Sequence, residues 1–147
     1  MKKLFYIAAL FILLTAGFSS CTLEMSENGH LDGFWNLKRI DTLSTMRSGD
    51  VEKERIYWSV QFNMIDVRFI DGRVKECVMK FEKSNDTLSI NTPCYYYHTQ
   101  GDSLITDVDA LRPYGINSLD EKFKIEHLSS GHMTLKSEKL RLYFKKL

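Results

Sequence analysis

The side chains best equipped for chemistry in this chain are Cys77 and Cys94, four histidines, and the run Tyr95-Tyr96-Tyr97-His98. Two cysteines seventeen residues apart, on strands joined by a tight turn, are either a disulfide of structural use or two separate thiols, depending on register. A two-residue loop at Asn85-Asp86 sets Cys77 opposite Cys94, whereas a loop at Ser84-Asn85 sets Thr92 opposite Cys77 and leaves Cys94 diagonal. A bond forms only when the Cα atoms lie within about 4.4–6.8 Å. His30, His98, His127 and His132 lack the dense spacing of a metal site, so no metal is expected. On a strand, Tyr95 and Tyr97 share one face while Tyr96 and His98 share the other. Asp107 and Asp109 have no partner base nearby in sequence. The chain has no G-x-S-x-G elbow, no H-E-x-x-H, no Gly-rich phosphate loop and no redox cysteine pair. Neither an enzyme nor a cofactor is expected.

A third cysteine, Cys21, has a different setting. Lys2 and Lys3 precede an uncharged apolar run over residues 4–14, and small residues then lead to Cys21. Residues 1–20 read as a secretory signal, too short for a permanent span of about 20 apolar residues. The cysteine resembles a lipobox cysteine, whose thiol takes diacylglycerol before the signal is cut; Phe18 stands where Leu is usual. Two or three acyl chains would hold the protein on a membrane, at about 0.8 kcal/mol per buried methylene. By resemblance to a bacterial sorting rule, Asp after the lipidated cysteine favours the inner membrane. Thr22 carries no such signal, so the outer membrane is the expected address. Residues 21–30 read as a polar tether.

Without residues 1–20 the chain keeps 19 acidic residues and loses two of its 20 basic ones, so its charge is near −1. That balance gives no reason to expect nucleic acid. The remaining length, about 127 residues, suits a single domain.

From residue 31 onward, apolar and polar residues alternate with a period of two, the mark of half-buried strands. Residues 34–40 form the first. Residues 55–70 form the longest, with apolar positions even through Met64 and odd from Ile65, which predicts a bulge or corner at Met64-Ile65. Asp71-Gly72 predicts a two-residue hairpin turn. Strands follow over 73–83, 87–91 and 94–98, with Pro93 limiting the last. Residues 104–114 are the least strand-like, with Thr106 placed to cap a short helix over 107–111. Residues 122–128, Met133-Leu135 and 140–145 close the chain around turns at 129–131 and 137–139. Roughly eight strands in an antiparallel meander avoid exposed edges by closing into an all-β, up-and-down barrel.

Gly33-Phe34-Trp35, opening the first strand, resembles the G-x-W signature of lipocalins. The closing hairpin over residues 123–146 and Tyr114-Gly115-Ile116 resemble small lipocalin-like domains of Gram-negative lipoproteins. The resemblance spans residues 31–147. It implies that Gly33 and Trp35 form a structural plug at one barrel end, beneath a basic residue of the last strand. Arg141 or Lys145 would fill that place, with Arg141 favoured. A typical secreted lipocalin is longer and carries a helix after the barrel, which this chain lacks.

An eight-stranded barrel holds either its own side chains or one small ligand. The inward set includes Trp58, Phe62, Met79 and Phe81, and with Tyr95 and Tyr97 at the mouth it would line a pocket for a small apolar ligand. The competing expectation is a filled core, with a protein partner docking on an exposed aromatic patch around Tyr96 and Tyr143.

Overall fold

The computed structural model describes residues 26–97 and 101–147. The signal segment, Cys21 and His98 lie outside them. Among the described residues ten strands form: β1 (Gly33–Thr42), β2 (Arg47–Asp50), β3 (Ile56–Gln61), β4 (Met64–Phe69), β5 (Cys77–Ser84), β6 (Thr87–Tyr95), β7 (Ser103–Leu104), β8 (Glu121–Leu128), β9 (His132–Lys136) and β10 (Leu140–Lys146). All pairings are antiparallel. The order β10-β9-β8-β6-β5-β4-β3-β1 closes on itself because β1 also pairs with β10, giving an eight-stranded barrel. Short strands β2 and β7 add to the outside of β1 and β6.

Residues 55–70 are a hairpin rather than one bent strand. Phe62-Asn63 makes a two-residue turn, with Gln61 opposite Met64 and Val60 opposite Ile65. A turn of that length moves the inward set from even to odd positions, just as a bulge would, so alternation alone could not separate the two. Bulges occur elsewhere. One falls at Lys38 in β1, between the Leu37–Phe144 and Arg39–Tyr143 pairs, and moves the inward set from Trp35 and Leu37 to Ile40.

The expected two-residue turn at Asp71-Gly72 is instead part of a longer connection from β4 to β5, in which the Gly72 amide donates to the Phe69 carbonyl (3.0 Å). Asn85-Asp86 is the next turn, with Ser84 opposite Thr87. β6 runs unbroken through Pro93, which sits at a second bulge, where its missing N–H is not needed. That bulge, with Thr92 at φ 52°, shifts the register by one. Cys77 then faces Tyr95, and Cys94 faces Val78. Cys77 is buried inside the barrel and Cys94 is half-buried; both are free thiols, so the expected disulfide is not formed. A one-residue slip puts the two side chains on opposite faces of the sheet.

The expected helix over 107–111 is replaced by two 3₁₀ turns, Val108–Ala110 and Arg112–Tyr114. The first is capped by Asp107, whose carboxylate accepts from the Asp109 amide, and not by Thr106. The barrel core joins Trp35, Trp58, Ile65, Val67, Leu88, Phe123, Leu135 and Leu142, all fully buried. Trp58 sits centrally, edge-on to Phe123 (5.9 Å) and Phe144 (5.1 Å).

Candidate functional site

At one end of the barrel the chain closes the opening with its own first strand. Trp35 is fully buried, and its indole N–H donates to the Leu31 carbonyl (2.7 Å). The register sets Trp35 opposite Lys146. The Lys146 ammonium lies 4.6 Å from the indole centroid and donates to the carbonyls of His30 (2.8 Å) and Asp32 (2.5 Å). This cation–π contact is the plug partner, rather than Arg141 or Lys145. Arg141 lies opposite Asp41 and forms a two-pronged ion pair with Glu126 on the outer wall (2.6 and 3.1 Å). Gly33 makes the contact possible: at φ 133° it adopts a backbone that side chains disfavour, and a Cβ there would lie 2.8 Å from Lys146 Cε. A hint was present in the sequence. In a closed antiparallel barrel the start of the first strand lies beside the end of the last, which favours the final lysines over Arg141.

Among the described residues the inward side chains pack against one another in a single core. Trp58, Met79 and Phe81 point inward as expected, at 0%, 1% and 4% exposure. Trp58 and Met79 are enclosed on all sides, whereas Phe81 also borders a recess at the rim. Phe62 does not join them. It sits at the tip of the β3–β4 turn, 59% exposed. There, with Phe81, Asn28 and Lys83, it lines a recess of about 310 Å³ on the barrel rim. Trp58 has no part in that recess. Its indole N–H instead donates to the Tyr114 carbonyl (3.2 Å).

The opposite end, the mouth, is covered by residues 105–116. Ile105, Leu111, Tyr114 and Ile116 insert over the barrel and are at most 4% exposed. Tyr114 leans on Phe69 (5.4 Å), and its hydroxyl donates to the Lys75 carbonyl (2.7 Å). Burial pushes the Tyr114 hydroxyl well above the usual phenol range, so it stays a donor. Gly115, at φ 84°, ends the second 3₁₀ turn, and a Cβ there would lie 2.9 Å from Leu142 Cδ2.

Around the rim of this mouth the tyrosines gather. Tyr95 and Tyr97 do share a face, edge-on at 6.3 Å. The Lys75 ammonium lies 5.2 and 5.7 Å from their centroids and donates to the Tyr97 hydroxyl (3.4 Å). Tyr95 is half-buried against the core, while Tyr97 is exposed. Tyr96 is exposed as well, but Tyr143 is not its neighbour in a patch: it lies on the barrel wall beneath the Arg39 guanidinium (3.7 Å).

Beside the tyrosines, Asp66 holds Arg68 by two hydrogen bonds (3.0 and 2.5 Å), and Arg68 reaches Glu76 (3.0 Å). Burial pushes the Glu76 carboxyl up to about 7, a shift that the Asp66 carboxylate reinforces and Arg68 opposes. Burial likewise pushes the Cys77 thiol up to about 12, which leaves it unreactive. Among the described residues no group of three or more His, Cys, Asp or Glu side chains is placed to hold a metal ion.

The sequence matches the lipocalin-like domain family over residues 15–147. The chain belongs to that family. Similar folds occur in a lipocalin-like protein from Bacteroides uniformis (19% identity, TM-score 0.61), covering 81% of this chain and 100% of that one. An uncharacterized protein from Bacteroides eggerthii (16% identity, TM-score 0.58) covers 79% and 98%. A protein from Burkholderia xenovorans (13%, TM-score 0.52) covers 79% and 82%. At these identities the likeness concerns the fold. No curated protein matches the chain. The lipocalin-like fold gives the Gly33–Trp35–Lys146 arrangement its meaning as the closed end of such a barrel.

Proposed function

We propose that this lipocalin-like domain is an accessory lipoprotein, anchored through Cys21 to the outer membrane, which binds a protein partner through the outer rim of its mouth. The role is one of binding rather than catalysis. The observation that carries this reading is the packing inside the barrel, where Trp58, Met79, Leu88 and Phe123 are at most 1% exposed and offer no open face to a small apolar ligand. A partner surface, in contrast, finds exposed apolar and aromatic groups at the rim, where Tyr97 is 36% exposed, Ile70 44% and Leu104 66%. Tyrosine suits such a role because it offers an apolar body and a hydroxyl with few rotamers to fix. The anchor is supported by the charged start, apolar core and small residues that lead to Cys21.

Native extraction from membranes tests the reading. The expected result is a stoichiometric complex that the double variant Tyr97→Ala/Leu104→Ala releases as monomer, together with a diacylglyceryl mass on the Cys21 peptide. Recovery of monomer alone from the unsubstituted protein, or of a small molecule in equimolar amount in its organic extract, would overturn it.

A further inference from the structure

We infer that the plugged end of the barrel lies on the bilayer, with the Phe62-Asn63 turn inserted at the lipid headgroup boundary. This rests on the anchoring of Cys21 and adds to it an orientation and a contact surface.

Chain geometry supplies the first argument. The described chain begins at Ser26 and crosses the plugged end. Asn28 donates to the Phe62 carbonyl (2.5 Å) and to Asp32 Oδ1 (2.7 Å), Gly29–Leu31 forms a 3₁₀ turn, and Leu31 is fully buried over Trp35. Cys21 precedes Ser26 by five residues, which span at most ~18 Å when extended. The nine steps of β1 run ~30 Å along the strand, about 23 Å along the axis of a barrel whose strands tilt by about 40°. A lipid on Cys21 therefore keeps the plugged end, and not the mouth, close to the membrane.

The second argument is the turn itself. Phe62 adopts φ 54°, a left-handed backbone normally left to Gly, Asn or Asp. Its ring gains little from the fold in return, since it stands 59% exposed at the tip. An aromatic held in a disfavoured conformation and pointed outward points to a use outside the fold. Around it at the same end Leu147 is 73% and Met64 40% exposed, with Lys83 and Lys145 also exposed. The charge at this end is mixed, with Glu27, Glu82 and Asp86 exposed beside the lysines, so it is the apolar tip of Phe62, Met64 and Leu147 that suits a membrane interface.

The test uses the full chain purified from membranes, its acyl mass confirmed, in phosphatidylethanolamine/phosphatidylglycerol vesicles whose acyl chains are brominated. Trp35 and Trp58 are fully buried, so the unsubstituted protein supplies the background. Phe62→Trp should be quenched at least twofold more than Ile70→Trp, which reports from the mouth end. Leu147→Trp serves as a second reporter of the plugged end and should behave like Phe62→Trp. Equal quenching at 62, 147 and 70, or stronger quenching at 70, on acylated protein would overturn the orientation and leave the anchor standing. Absence of the acyl mass would overturn both.

Discussion

The two ends of this barrel are closed by different means. At the plugged end the seal is built into the sheet: Trp35 belongs to β1, its cation comes from β10, and its carbonyl partner comes from the segment just before β1. At the mouth the seal is an excursion between β7 and β8, docked by four apolar side chains and a few polar contacts such as the Tyr114 hydroxyl on the Lys75 carbonyl. A seal made of strands depends on the register of the whole barrel, whereas a docked segment can loosen while the sheet stays intact. Stability is therefore expected to concentrate at one end and adaptability at the other.

The sharpest way to break this comparison is Trp35→Ala. Loss of a fully buried indole should cost about 3–5 kcal/mol, read as a lower midpoint in urea denaturation. A loss no larger than that of a surface substitution would remove the plug from the account.

The two conformationally special glycines come next. Gly115→Ala brings a methyl onto Leu142, which is fully buried, and should cost about 2–4 kcal/mol from strain and crowding together. Gly33→Ala meets only the flexible end of Lys146, so about 1–2 kcal/mol is expected, mostly from its backbone angle. The reverse order in thermal or urea midpoints would mean that Lys146 is held more rigidly than the Leu142 side chain.

Tyr114→Phe removes one hydrogen bond and should cost about 1 kcal/mol. Its more telling readout is hydrogen exchange. Amides of residues 105–116 should exchange faster, while those around Trp35 keep their protection. Faster exchange at both ends would show that the mouth is no separate unit.

Smallest is the effect of Glu76→Gln. The folded protein holds the Glu76 proton up to about 7, above the ordinary 4.5, so it binds more protons than the unfolded chain between those values. Stability should therefore fall as pH rises through that window and level off above it. Gln should flatten the decline. An unchanged slope would take Glu76 out of the account.

Much of the barrel was legible because inward side chains repeat every second residue, and period two survives wherever strands are regular. The turn at Asn85-Asp86, the aromatic face shared by Tyr95 and Tyr97, and the closing hairpins could all be read in that way. What alternation cannot show is the cause of a change in phase. The hairpin at Phe62-Asn63 and the bulges at Lys38 and Thr92-Pro93 leave similar marks, and each misplaced something: Phe62 as a pocket residue, or Cys77 and Cys94 as partners. Lys146 was missed for Arg141 although closure alone sets the start of β1 beside the end of β10; the Lys38 bulge changes that register by only one residue. The Asp66–Arg68–Glu76 cluster joins a strand to a loop end with no sequence pattern of its own.

The pairing of β1 with β10 also sets a timetable. β1 pairs with β3 early, but it gains β10 only once that strand has been made, so neither the sealed end nor the edge-free sheet can exist before then. A nascent domain of this kind remains an unclosed ribbon until β10 is available to pair. Loss of β10 would leave raw edges on β1 and β9, each a template for a neighbouring copy.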